Sequence, residues 1–256
     1  MNKKKGIKWF GVVVFAGLAV GINYIGLQKK QQEQRQQKIE QAASNIENQK
    51  LLLQKIQEDL STAFIDENQT FLRADLTQTQ INQIKANLAR IQVATSDDAI
   101  EVENLSSESA DFEKEKQQLK EQLQLIVDKF TIQTKIQSLF VTEMTDWQTV
   151  DGGAAIKKEL TSEEIASTRE SLILLPEDEW FQNMTTYLDN AQEQFDTIAS
   201  VQANIDFMIK DGVLTPNINY YDYLELVNQV NQILNPEWQE EFNGIADEIA
   251  KQLGLY

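Results

Sequence analysis

A chain of 256 residues with 40 acidic against 23 basic residues carries a formal net charge of −17, which repels phosphate backbones and anionic headgroups and argues against nucleic-acid binding. Zero Cys removes disulfides, thiolate metal sites and thiol nucleophiles, and zero His removes the usual general base and the commonest zinc ligand. With only 10 Gly and 3 Pro, and apolar residues recurring every three or four positions, the chain reads as all-α.

The first element is an apolar run from Ile7 to Leu27, preceded by Met1 to Gly6 with Lys3, Lys4 and Lys5. At 1.5 Å per residue it reaches about 31 Å, the thickness of a bilayer's hydrocarbon core. Lys8 and Trp9 fall near one interface and Asn23 and Tyr24 near the other, where amphipathic side chains are tolerated. The expectation is a single transmembrane anchor over residues 7–27, with residues 1–6 as a short cytoplasmic tail. A cleaved secretory signal is the alternative, since Ala16, Gly17, Ala19 and Gly21 suit a cleavage region. Ile22, Tyr24, Ile25 and Leu27 continue the apolar run past that point and favour retention. The remainder is then expected outside, in a single-pass cell-membrane protein whose C-terminal part is extracellular.

Residues 28–59, rich in Gln, Glu, Lys and Arg, read as a helical stalk. Ile39, Ala42, Ala43, Ile46, Leu51, Leu52 and Leu53 form one stripe along it. A solvated rod is the simpler expectation, and self-association through a coiled-coil seam the alternative, because fewer than four clean heptads are present.

Beyond the stalk a pattern recurs. A polar amphipathic helix ends in a pair carrying Phe, at Ala63-Phe64, Leu139-Phe140 and Asp206-Phe207, and an irregular loop follows. A capping box with a hydrophobic staple then opens a new helix, with Thr77, Thr161 or Asn219 as cap. Gln80, Glu164 or Asp222 reaches back, and Leu76, Leu160 or Ile218 serves as staple. Proline breaks at Pro176 and Pro236 are expected at first helical positions. Three helical modules are thus expected, over residues 60–140, 141–207 and 208–256, with helices from about Asp111 to Phe140 and from Glu179 to Met208 shared at their boundaries. The expected architecture is an elongated row of small helical bundles. The acidic stretch from about Thr95 to Ser109 is the expected flexible loop.

Candidate sites are few. Trp180, Phe181, Tyr187, Tyr220, Tyr221, Tyr223, Trp238 and Phe242 could form a sugar-stacking platform, although core packing explains them more readily. Of these, Tyr220 and Tyr221 are the most exposed by pattern and the pair to test for ligand contact. The carboxylates at Asp97 and Asp98, at Glu177 to Glu179, and at Glu240 and Glu241 read as solvated surface. Asp151-Gly152-Gly153 is a turn outside any Ca²⁺-loop pattern. No catalytic residue, metal site or cofactor is expected.

The lysine-led span, the Gln/Lys stalk and the helix units marked by Leu139-Phe140, Leu160-Thr161 through Ile165, and Leu76-Thr77 through Ile81 resemble the extracellular helical region of the MapZ family. These are division-site positioning proteins of streptococci and their relatives. The resemblance covers roughly Leu60 to Leu253. It implies an exterior helical module of a Gram-positive envelope, linked to division or cell-wall organisation. The expected function is a non-catalytic interaction protein whose partner is a cell-wall polymer or another membrane protein. Two alternatives are a carboxylate-dependent cell-wall hydrolase, and a released surface protein if the amino-terminal segment is cleaved.

Overall fold

The computed structural model describes residues 44, 45, 47–91 and 103–255, with side chains placed from residue 112 onward in the last stretch. The expected anchor and most of the stalk lie outside these residues, as do Asp97 and Asp98. Among the described residues no helix is long and apolar enough to cross a membrane.

The described chain is mostly helical. Its elements are α1 (47–61), α2 (Gln78–Ala89), α3 (Glu103–Leu139), α4 (Ser162–Leu172), α5 (Glu179–Met208), the two-residue strands β1 (Ile209–Lys210) and β2 (Val213–Leu214), α6 (Tyr220–Val230) and α7 (Pro236–Gln252). The chain divides into two compact units, one of Met1–Gln57 with Asn87–Gln117, the other of Glu58–Ala86 with Gln118–Tyr256.

In the first unit, Leu53, Ile56, Leu88, Ile91 and Phe112 are buried, and Lys116 Nζ donates to the carbonyl of Ile91 at 2.7 Å. The stretch expected to be a solvated stalk therefore carries buried side chains at its C-terminal end. Leu53 and Ile56 are 0% exposed whereas Leu51 is 59% exposed, so the burial follows a narrow helical stripe rather than the whole Leu51-Leu52-Leu53 run.

In the second unit α5 serves two hydrophobic cores. Trp180, Met184, Tyr187, Leu188 and Ala191 from its first half pack with Ile132, Ile136, Phe140, Ile156 and Leu172. Val201, Ile205 and Met208 from its second half pack with Leu226, Val230, Ile233, Phe242 and Ile249. The i, i+4, i+7 spacing of both sets puts each on one helical face.

Three times the chain leaves a helix, folds back on itself through a short antiparallel contact and enters a capped short helix. Phe64 bridges Leu72, Phe140 bridges Ile156, and Ile209 pairs with Leu214. In each case the residue after the second partner donates its amide to the residue before the first: Arg73 to Ala63 at 2.9 Å, Lys157 to Leu139 at 2.9 Å, Thr215 to Met208 at 2.8 Å. A turn follows, closed by Leu76 to Arg73, Leu160 to Lys157 and Ile218 to Thr215. The next residue is the helix cap, Thr77, Thr161 or Asn219. Gln80, Glu164 and Asp222 each accept the cap amide, at 2.8, 2.9 and 2.8 Å. Within each short helix the same phases point inward: Ile84, Thr168 and Leu226, then Leu88, Leu172 and Val230. A repeated backbone path with a repeated burial pattern is what a repeated capping and staple chemistry enforces.

Three expectations are corrected here. The third pair is Met208-Ile209 instead of Asp206-Phe207; Phe207 is 64% exposed, because α5 runs one residue past it and the register of β1 selects Ile209. Pro236 does occupy the first turn of α7, but Pro176 lies before the cap of α5, Asp178, whose amide donates to the Pro176 carbonyl at 2.9 Å. Of the expected flexible loop, residues 103–109 belong to α3, and residues 95–102 lie outside the described chain.

The loop between Phe140 and Leu160 is held down by one face of α5. Asn183 Nδ2 donates to the carbonyls of Trp147 and Gln148, at 3.0 and 2.8 Å. The Tyr187 hydroxyl donates to Thr149 and accepts from the Asp151 amide, both at 3.1 Å. Gln194 donates to Ala154 at 2.9 Å and accepts from the Ile156 amide at 3.2 Å. A loop with so few strand bonds of its own satisfies its backbone groups through these side chains.

Candidate interaction surface

Asn219 caps α6 by accepting from the Tyr221 amide at 2.8 Å, and Asp222 closes the capping box. This fixes Tyr220 and Tyr221 in the first helical turn, where the inward phase is taken by Leu226 and Val230 one and two turns on. Both rings therefore face outward: Tyr220 is 50% and Tyr221 79% exposed. Their centroids lie 6.1 Å apart, and Tyr220 lies 6.4 Å from Tyr223. Leu224, also exposed, continues the face one turn on from Tyr220.

The repeated fold supplies an internal control for this surface. The two residues after the cap are Gln78 and Thr79 in the first repeat and Ser162 and Glu163 in the second, all exposed; Leu224 corresponds to exposed Asn82 and Ala166. The same backbone path is thus built twice with polar or small residues at these positions. Folding does not require tyrosine there.

The remaining aromatic candidates are placed differently. Trp180, Tyr187 and Phe242 are buried at 0–1% exposure and belong to the two cores. Phe181, Tyr223 and Trp238 are half-buried and pack against those cores. The eight rings do not form one platform; of these eight, Tyr220 and Tyr221 are the exposed ones.

Two tryptophans instead receive lysines. Lys129, 0% exposed on α3, places Nζ 4.8 Å from the centroid of the Trp180 ring, 2.6 Å from Asp178 Oδ2 and 2.6 Å from the Thr70 carbonyl. Asp178 also caps α5 by accepting from the Phe181 amide at 2.9 Å, so this member of the Glu177 to Glu179 run is structural, while Glu177 and Glu179 are exposed. Lys158 Nζ lies 4.9 Å from the Trp238 centroid and 2.6 Å from Glu241 Oε2. Beside Lys158, buried Asn235 caps α7 and donates Nδ2 to the Ile156 carbonyl at 2.7 Å. Each junction joins a helix cap to the loop of an earlier repeat.

An open groove of about 560 Å³ follows α5, lined by Asp189, Glu193, Asp196, Arg169, Gln229 and Gln232. Arg169 donates to Asp189 at 2.8 Å, and Gln192 donates to Asp196 at 2.9 Å, so two of the three carboxylates are engaged by neighbours. Among the described residues there is no group of three or more Asp or Glu able to hold a metal ion.

Lys129 is absent from the candidates above, yet the sequence carries a signal for it. Its signal is phase: Lys129 and Gln133 fall on the stripe of α3 that also carries Ile126, Ile132 and Ile136, all buried. A lysine on such a stripe needs a buried partner.

Comparison of the chain with protein-family models, with curated proteins and with solved structures gives no match.

Proposed function

We propose that this is a non-catalytic interaction protein of a Gram-positive cell envelope, anchored in the membrane by residues 7–27 and carrying its row of helical modules outside, with a part in division or cell-wall organisation. The contact is made by the Tyr220 and Tyr221 face of α6, toward a cell-wall polymer or another membrane protein. One observation carries the reading: two exposed aromatic residues stand where the other two repeats place polar ones, so the face answers to something other than folding. The repeated helical units, the apolar amino-terminal run and the absence of Cys and His support the same reading. A hydrolase would need two convergent carboxylates with a shifted proton affinity, and the α5 groove holds two of its three in hydrogen bonds to neighbours.

The test is sedimentation of the full chain, in detergent, with purified cell-wall sacculi, beside the Tyr220→Ala, Tyr221→Ala double variant. Saturable binding that the variant loses supports wall contact through α6. Sacculus binding unchanged in the variant removes α6 as the wall-contact surface. Protease protection of the amino end in intact cells, with digestion of the rest, is the expected result for the anchor; release of the whole chain into the medium overturns it.

A further inference from the structure

We propose that the α6 tyrosine face receives a lysine- or arginine-bearing segment of a partner protein. The inference rests on α6 being the contact face and adds the chemistry of what it contacts. The chain already builds this recognition twice, with the cation over an aromatic ring and a carboxylate beside it: Lys129 with Trp180 and Asp178, Lys158 with Trp238 and Glu241. The ring face carries negative quadrupole charge and the carboxylate supplies the ion pair, so the two act on one ammonium or guanidinium. On α6 the rings of Tyr220 and Tyr221 are exposed, Asp222 follows directly, and exposed Glu225 stands one turn beyond Tyr221. No lysine or arginine among the described residues stacks on Tyr220 or Tyr221.

Charge selects the occupant. From Asp211 to Ala250 the sequence has eight acidic residues and no lysine or arginine; Lys158 and Lys251 pair with two of them, Glu241 and Glu248, and leave the others in excess. This field attracts a basic segment, repels a second copy of the same surface and repels an anionic wall polymer. An uncharged glycan would stack on the rings yet gain nothing from the acidic run. The rings supply contact area that a purely acidic surface lacks, so binding should depend on them as well as on salt.

The test uses the full chain in detergent with three probes: a peptide of eight lysines, a peptide of eight glutamines, and purified sacculi. The lysine peptide should bind saturably and the glutamine peptide should not. In the Tyr220→Ser, Tyr221→Ser variant the lysine-peptide Kd should rise about tenfold, and in Glu225→Gln about threefold. Tyr220→Phe, Tyr221→Phe should bind like the parent, because the ring face is kept. The serine variant puts small polar residues where the other repeats carry Gln78 and Thr79 or Ser162 and Glu163, and unchanged helical circular dichroism checks that it folds. Lysine-peptide binding that is absent, or equal in the serine variant, overturns the proposal. If sacculus binding alone depends on the tyrosines, α6 remains the contact face and the partner is the wall. If neither probe depends on them, the contact face itself falls as well.

Discussion

The ammonium of Lys129 lies 2.6 Å from Asp178 Oδ2 and is enclosed to the point of 1% side-chain exposure, while Asp178 keeps 31%. One buried cation thereby joins the Thr70 carbonyl in the loop of the first repeat to the cap of α5. Its partners include a carboxylate, a carbonyl and a ring, which is what makes a buried charge tolerable.

Removing that cation should be costly. Lys129→Ala leaves the Thr70 carbonyl and the Asp178 carboxylate without their donor, and a loss of about 3 kcal/mol is expected. Lys158→Ala removes a partly exposed pair of similar composition, screened by solvent, and should cost clearly less. Urea denaturation of the two variants measures the contrast; equal losses would show that burial is not what distinguishes them.

Asn235 does two jobs with one side chain, accepting from the Glu237 and Trp238 amides and donating to the Ile156 carbonyl. Asn235→Ala is expected to lose about 2 kcal/mol, combining a cap and a buried hydrogen bond. Asn235→Asp keeps the cap acceptor but replaces the donor, so it should fall below the parent by more than an exposed cap exchange would. Thermal melts of the two variants read the difference.

Acid should weaken the fold through carboxylates that accept backbone amides. Burial raises the proton affinity of Asp66, but the amides of Phe71 and Thr70, at 2.8 and 3.0 Å, outweigh it and hold the carboxyl below its ordinary value. The amide and hydroxyl of Thr161 lower Glu164 in the same way, at 2.9 and 2.8 Å. For both, the unfolded chain takes up the proton first as pH falls. Their stabilisation is therefore complete above the ordinary carboxylate range and is lost as pH falls through the depressed folded values. Stability measured against pH should fall less steeply on the acid side in Asp66→Asn and Glu164→Gln than in the parent.

The turn between β1 and β2 contains Asp211 at φ 53° and Gly212 at φ 77°. A Cβ at Gly212 meets nothing within 4 Å, so Gly212→Ala tests backbone conformation free of steric overlap. A loss of about 1 kcal/mol is expected from placing a side chain in the left-handed region. A neutral result in denaturant titration would mean that the turn relaxes.

The tyrosine face should be dispensable for folding. Tyr220→Ser, Tyr221→Ser is expected to change stability by no more than about 0.5 kcal/mol, as exposed substitutions do. A loss several times larger would identify the rings as structural.

Much of the repeat was legible because its signals are local. A cap, a partner three residues on and a staple lie within a few residues of each other, and all three capping boxes form as their sequences indicate. The third pair is Met208-Ile209 and not the one carrying Phe207, because the position needs only an apolar residue for the bridge, and Ile209 fills it without the Phe that marks the other two. Glu179–Met208 was readable as one helix from its unbroken apolar period. That its two halves serve different cores was not, since both halves show the same periodicity.

The sequence by itself determined the helical class, the acidic surface, the capped starts and the exposure expected of Tyr220 and Tyr221, because each depends on residue type and short spacing. Only the tertiary structure decided which polar residues are enclosed. Lys129, Asp178 and Thr70 are 49 and 59 residues apart along the chain when counted from the lysine, and Asn235 meets Ile156 across 79. No local pattern encodes such pairings; they arise when separately capped helices bury their apolar stripes together, and a polar group caught on a stripe must then find its partner in whatever segment the packing brings beside it.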